Sequence, residues 1–199
     1  MKIEEYIKKA EDLRSKGFFK ESLKIWLKIY KQGIENNNPE LTLDSLLALG
    51  DLHRIMGNFN KSLEFYNEAF EIAEILRHER AIADSLSGAA LSHKAIGNWK
   101  EGLKLIRKAR KIYEKNKDKK GIAFTLWAEG AIWRFGGRIK KSLDNFKKAL
   151  EVFKILKDKI ALGYTYCGLG GSSRVNGDFL ASMKYYEKAN KIFREKKDK

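Results

Sequence analysis

The sequence predicts an all-α solenoid made of five helix-turn-helix repeats, and three observations carry this prediction. A glycine returns at a spacing of 40 residues, each of these glycines opens a similar short phrase, and the surrounding apolar residues recur with a helical period. The turn glycines are Gly17, Gly57, Gly97, Gly137 and Gly177. A fixed period between about 20 and 50 residues indicates an array of units that pack on their neighbours.

The first helix of a repeat lies in the residues before its turn glycine. In the second repeat, Leu46, Leu49 and His53 are spaced as on one helix face. Asn38 can cap this helix and Pro39 suits its first turn. Because a helix often ends at a residue with positive φ, which glycine adopts readily, a turn glycine is expected to end it.

The second helix follows the turn. In the second repeat its apolar residues, at steps of three and four, are Phe59, Leu63, Tyr66, Phe70 and Ala73. A small residue returns where the two helices must approach closely: Ser22, Ser62, Gly102, Ser142 and Ser182. The unbroken period predicts one domain over 1–199, with repeats at about 1–38, 39–78, 79–118, 119–158 and 159–199.

The repeat resembles the tetratricopeptide repeat. The residues that carry the resemblance in the second unit are Leu46, Leu49, Gly50, the turn Gly57-Asn58-Phe59, Ser62, Tyr66 and Ala69. The period of 40 exceeds the usual repeat of about 34 residues, as in the long-repeat branch that includes kinesin light chains and bacterial peptide-sensing regulators. The resemblance implies a right-handed superhelix in which the first helices line a concave groove.

Composition sets the class of protein. The single Cys167 excludes an intramolecular disulfide and suits a reducing compartment. No apolar run approaches the roughly 18 residues of a membrane span, and the acidic start of the chain does not fit a signal peptide. We therefore expect a cytoplasmic protein. Repeats 3 to 5 account for the net charge of +15, because the charges of repeats 1 and 2 nearly cancel.

The sequence predicts no enzyme, no cofactor and no metal site. The run from Gly168 to Ser173 looks like a phosphate loop, but it lies inside a predicted helix and not between a strand and a helix. His53 and His93 share one repeat position, where Trp133 stands in the fourth repeat. That position predicts a slot in or near the core rather than a pair of metal ligands.

Two features have no explanation at this level. The helix expected over 159–176 is rich in glycine, although each glycine costs about 1 kcal/mol relative to alanine in a helix. Glu129 stands where other repeats carry leucine or alanine, which indicates either a buried hydrogen bond or a different register.

A basic row marks the candidate binding groove. Three residues before each turn glycine stand Arg14, Arg54, Lys94, Arg134 and Arg174. Glu11 and Asp51 can pair with the first two at i,i+3, whereas repeats 3 to 5 carry no acid at that place. Groove positions implied by the resemblance also hold Phe124, Trp127, Phe135 and Tyr164. Helix-dipole stabilisation by cations, and packing of the aromatics between helices, are the alternative interpretations.

These residues predict a scaffold that binds a peptide segment of another protein, acidic and with apolar anchors, in the concave groove. One alternative is a polyanion or nucleic-acid binder that uses basic outer faces, where Lys108, Lys148 and Lys188 repeat. Another is the sensor or adaptor region of a larger signalling protein. Charge reversal of those three lysines would distinguish the peptide binder from the polyanion binder.

The last helix supports a prediction of its own. The final residues, Lys197-Asp198-Lys199, come one period after Lys157-Asp158-Lys159. Terminal repeats normally need a polar cap, so we expect apolar residues to be partly open on this helix: Tyr185, Ala189, Ile192 and Phe193. Two interpretations remain: the chain is part of a longer protein, or this helix makes a homo-oligomeric contact.

Overall fold

A computed structural model describes residues 3–196 of the chain. The described residues form ten α-helices, arranged along the chain as five helix-turn-helix pairs, as predicted. The predicted end at 197–199 lies outside the described residues. The helices group into two compact units, one through Ile96 and one from Gly97.

The helices follow the 40-residue period. The first unit contains α1 Ile3–Ser15, α2 Phe19–Glu35, α3 Pro39–Ile55, α4 Phe59–Ile75 and α5 Glu79–Ala95. The second unit contains α6 Trp99–Lys115, α7 Lys119–Phe135, α8 Ile139–Ile155, α9 Lys159–Val175 and α10 Phe179–Lys196. Within each unit, helices that are consecutive along the chain pack on one another.

The turns within the repeats have the predicted chemistry. Gly57 has φ +83°, and the amide of Asn58 donates to the carbonyl of His53 at 2.8 Å, which closes the helix end. All five turn glycines have positive φ. At the start of α3, the side chain of Asn38 accepts from the amide of Leu41 at 3.1 Å, which confirms the predicted cap.

We expect Gly57→Ala to destabilise the first unit by about 1–2 kcal/mol, because an L-residue is strained at positive φ. A Cβ at this glycine would meet nothing within 4 Å, so strain and not crowding is the cause. Urea-induced unfolding followed by circular dichroism measures the change. The control is Gly57→Asn, which should cost less because asparagine tolerates this conformation. An alanine variant as stable as the wild type would contradict the prediction.

The serine at the recurring small position links the two helices of its repeat by a hydrogen bond. The hydroxyl of Ser62 donates to the carbonyl of Gly50 at 2.8 Å and lies 2.9 Å from the hydroxyl of Ser92. Ser22 donates in the same way to the carbonyl of Ala10. These side chains are fully buried, so their hydroxyls are satisfied where the helices approach most closely.

The glycines of α9 make room for aromatic rings. A Cβ at Gly163 would lie 2.7 Å from the ring of Phe193, and one at Gly168 would lie 2.5 Å from the ring of Phe146. Real Cβ atoms do not approach a ring so closely, so alanine at either position would displace the ring. The helical cost of these glycines is therefore offset by packing.

The other two glycines of this helix make room for Tyr186 and for Arg134. A Cβ at Gly170 would lie 3.1 Å from the ring of Tyr186. A Cβ at Gly171 would overlap the guanidinium of Arg134, which lies across the backbone of α9. The glycine content of α9 thus follows from what its neighbours place against it.

The exposure of α10 agrees with the prediction at three residues, which are partly open, and differs at one. Ala189 is buried, with 1% of its surface exposed, so its predicted exposure is wrong. Tyr185 and Phe193 are half-buried because they face α9, with ring centroids 6.2 Å from Tyr166 and 5.2 Å from Tyr164, respectively. Ile192 is also half-buried. The most exposed apolar side chains of this helix are Phe179, Leu180 and Met183.

Candidate binding surface

The basic row lies near the C-terminal end of each first helix, so its members repeat the same position in α1, α3, α5, α7 and α9. Their environments differ between the two units. This difference decides which members can meet a partner.

In the first unit the basic row is paired within the chain. Arg14 lies 2.8 Å from the carboxylate of Glu11, and Arg54 lies 2.7 Å from that of Asp51, which confirms both predicted i,i+3 pairs. Arg14 also reaches Asp51 at 3.7 Å. Lys94, on α5, is half-buried and engaged within the described chain.

Arg54 takes part in a partly buried hydrogen-bond network. Its Nε donates to the hydroxyl of Tyr66 at 3.3 Å, and this hydroxyl donates to Asp51 at 2.8 Å. Burial alone would lower the pKa of Arg54, but the charges and hydrogen bonds of Tyr66 and Asp51 outweigh it and raise the pKa. Arg54 was predicted as a groove residue, and in the structure it stabilises the packing of α3 and α4.

In the second unit the last two members of the row lie on α7 and α9, which contact each other. Arg134 is half-buried, and its Nη1 lies 3.5 Å from the carbonyl oxygen of Gly168. Arg174 is exposed, and among residues 3–196 it forms no ion pair. Arg134 is therefore positioned by α9, whereas Arg174 is open to solvent.

The predicted aromatic residues lie on the same two helices. The rings of Phe124 and Trp127 are stacked, with centroids 6.0 Å apart. Trp127 Nε1 donates to the carbonyl of Tyr164 at 3.4 Å, which ties α7 to α9. Trp127 also meets the ring of Phe146 edge-on, at 6.4 Å, and packs against the core.

Two aromatic side chains project from these helices. Phe135 is 54% exposed and Tyr164 is 53% exposed. The helices α7 and α9 thus bear a surface, here called the α7–α9 face, with these members: Phe124, Trp127, Arg134, Phe135, Tyr164 and Arg174. It combines accessible aromatic area with two cations.

The buried carboxylate of Glu129 on α7 binds two arginines of α6. The sequence indicated Glu129 but not these arginines. Glu129 has 4% of its surface exposed and accepts from Arg107 Nε at 3.0 Å and Nη2 at 2.8 Å. Arg110 Nη2 donates to the other carboxylate oxygen, and Trp133 Nε1 donates at 3.1 Å. The predicted alternative of a buried hydrogen bond is therefore the correct one.

The charge of Glu129 is stabilised by these donors. Burial alone would raise the pKa of Glu129, but the hydrogen bonds and charges of Arg107 and Arg110 outweigh it and hold the pKa below its ordinary value. The carboxylate is thus ionised near neutral pH. Its arginine partners could not be selected from sequence, because α6 carries several other cations.

The described residues hold neither a metal-ligand cluster nor a membrane-spanning helix. Residues 3–196 contain no group of three or more His, Cys, Asp or Glu that could hold a metal ion. Over the same residues, no helix combines the length and apolar character that a membrane crossing requires.

Comparison with known proteins finds a family match in the first part of the chain. Residues 6–75 match the family model described as the tetratricopeptide repeat. The match covers about a third of the chain, and the described residues as a whole have the fold of tetratricopeptide-like repeat proteins. The remaining repeats continue the same 40-residue unit. None of the curated proteins matches the chain.

Solved structures share this tetratricopeptide fold at low identity. A Rap protein complexed with Competence and Sporulation Factor has a TM-score of 0.89 at 13% identity, with 97% of this chain and 54% of that chain covered. BtubC (BKLC) from P. vanneervenii has a TM-score of 0.72 at 18% identity, with 96% and 79% covered. The apo form of RapI has a TM-score of 0.74 at 15% identity, with 99% and 85% covered. Identities this low show the fold alone.

Proposed function

We propose that this protein is an interaction scaffold that binds a peptide segment of another protein on its α7–α9 face. The observation that carries the proposal is the exposure of Phe135 and Tyr164 on the two touching helices that also carry Arg134 and Arg174. Aromatic and arginine side chains dominate the binding energy of protein interfaces. The segment is acidic and carries one or two bulky apolar residues.

The charge preference follows from the pairing within the chain. Arg14 and Arg54 are already bound to Glu11 and Asp51, whereas Arg174 has no carboxylate partner in the part of the chain that the structure describes. A carboxylate of the partner would complete a charge-assisted hydrogen bond at Arg174. The Rap structure supports a bound partner, because a protein of the same fold is complexed there with Competence and Sporulation Factor.

We expect Arg174→Ala and Arg134→Ala each to weaken peptide binding about tenfold. Each substitution removes one charge-assisted hydrogen bond, which contributes about 1.5 kcal/mol to the binding free energy. The probe is the acidic peptide that the wild type selects from an array of peptides with varied acidic and apolar residues. Fluorescence polarisation gives the affinities. The matched control is Arg14→Ala, which removes the same charge but a paired arginine, and it should change the affinity little.

Salt separates the two contributions to this binding. High salt should weaken the charge contribution and leave the part that depends on aromatic contact. Tyr164→Ala should remove that remainder without loss of helix content, because the side chain is more than half exposed. Equal affinities for the wild type, Arg174→Ala and Tyr164→Ala, or selection of no acidic peptide, would overturn the proposal.

A further inference from the structure

The second unit also contains a cavity that involves α7. It is a surface cavity of about 510 Å³ bounded by α6, α7 and α8. Its cationic lining residues are Arg107, Arg110, Lys111, Lys141 and Lys148. It shares no residue with the α7–α9 face, so it can bind a ligand independently.

The inner wall of the cavity is rigid. Glu129 holds Arg107 through two hydrogen bonds, and the Arg107 guanidinium carbon lies 5.5 Å from the ring centroid of Trp133. The indole N–H of Trp133 in turn donates to Glu129. Lys141 Nζ lies 4.6 Å from the same ring. Two cations are thus fixed at the indole before any ligand arrives, which lowers the entropic cost of binding an anion.

The outer walls carry cations that the protein does not neutralise. Lys111 on α6 and Lys148 on α8 are exposed, and over residues 3–196 neither forms an ion pair. They face one cavity, so their mutual repulsion favours an anion between them. The lining also includes Glu114, Glu129 and Asp144, so five cations and three carboxylates leave two positive charges.

We propose that this cavity is a binding site for a phosphate monoester group. Such a group carries about −1.5 to −2 charges at neutral pH and three strong acceptor oxygens, which match the excess of two positive charges. Arg107, with its position fixed by Glu129, supplies a guanidinium for the phosphate oxygens, and Lys111 and Lys148 supply point charges. The group belongs either to a small phosphate ester or to a phosphorylated side chain of a partner.

The test uses the full chain and isothermal titration with inorganic phosphate, free phosphoserine and a short peptide that contains phosphoserine. The cavity variant is Lys111→Gln/Lys148→Gln. The matched control is Lys108→Gln/Lys147→Gln, which removes two exposed lysines from the same two helices but outside the cavity lining. Circular dichroism establishes that both variants keep the helix content of the wild type.

We expect the wild type to bind phosphoserine, the cavity variant to lose at least about tenfold in affinity, and the control to stay within about twofold. Tighter binding of the peptide than of free phosphoserine would assign the site to a phosphorylated segment, and equal binding would assign it to small phosphate esters. Equal weakening by both variants would show diffuse attraction to a basic surface and overturn the proposal. Absence of phosphoserine binding by the wild type would overturn it as well.

Discussion

Replacement of Gly88 by alanine should destabilise the first unit by about 2–3 kcal/mol, even though alanine favours a helix by about 1 kcal/mol. A Cβ at this position would overlap the ring of Tyr66, which is 2% exposed and packed between α3 and α5. The ring cannot shift freely, because its hydroxyl bonds to Asp51 and Arg54. Urea-induced unfolding followed by circular dichroism measures the loss.

The control for this prediction comes from the next repeat of the same chain. There, Ile106 and Ala128 occupy the positions of Tyr66 and Gly88. Isoleucine is smaller than tyrosine and alanine is larger than glycine, so the two differences in size offset each other. In a Tyr66→Ile background, Gly88→Ala should therefore cost little. The double-mutant cycle should give a coupling energy of about 2 kcal/mol. Additive effects of the two substitutions would contradict the direct contact.

The helices and their ends were predictable because their causes are local. The turn at Gly57, the cap at Asn38 and the small residue Ser62 each depend on a few neighbouring residues, and each repeats down the chain. Repetition strengthens a weak local signal, because the same pattern returns five times. This is why the observed repeats follow the predicted period.

The contacts between repeats were not predictable in the same way. From sequence, the glycines of α9 predict a helix of low stability, whereas in the structure Phe146 and Phe193 pack against two of them. On the α7–α9 face, the sequence placed Trp127 and Tyr164 together, but it could not show that Trp127 packs on the core while Tyr164 stays exposed. The burial of each side chain depends on how closely the neighbouring helices pack, and this distance is not encoded by nearby residues alone.

Glu129→Leu should destabilise the second unit by about 3–5 kcal/mol, although leucine is the residue that two other repeats carry at this position. Arg110 would lose its carboxylate partner while its side chain is only 18% exposed. Trp133 would lose the acceptor for its indole N–H. Arg107 contributes less to the loss, because its side chain is 53% exposed and solvent screens its charge.

The matched variant is Glu129→Leu/Arg110→Met, which removes both charges of the buried pair. It should recover most of the lost stability, because an apolar replacement of a whole ion pair is often neutral, whereas an unpaired buried charge is costly. Unfolding in urea compares the two variants. A double variant as unstable as Glu129→Leu alone would show that the loss comes from packing and not from the unpaired arginine.

The stabilising effect of Glu129 should also depend on pH in a direction that its pKa fixes. Because Arg107 and Arg110 hold the folded-state pKa below the ordinary value of 4.5, the unfolded chain takes up the proton first as the pH falls. The contribution is therefore fully present above about pH 5 and is lost as the pH falls through the folded-state pKa. The comparison is between the wild type and Glu129→Gln, which keeps the shape but cannot ionise. Their difference in unfolding free energy should shrink as the pH falls below 4.5, the ordinary pKa of a glutamate side chain. A difference that stays constant at acidic pH would show that the charge of Glu129 does not stabilise the fold.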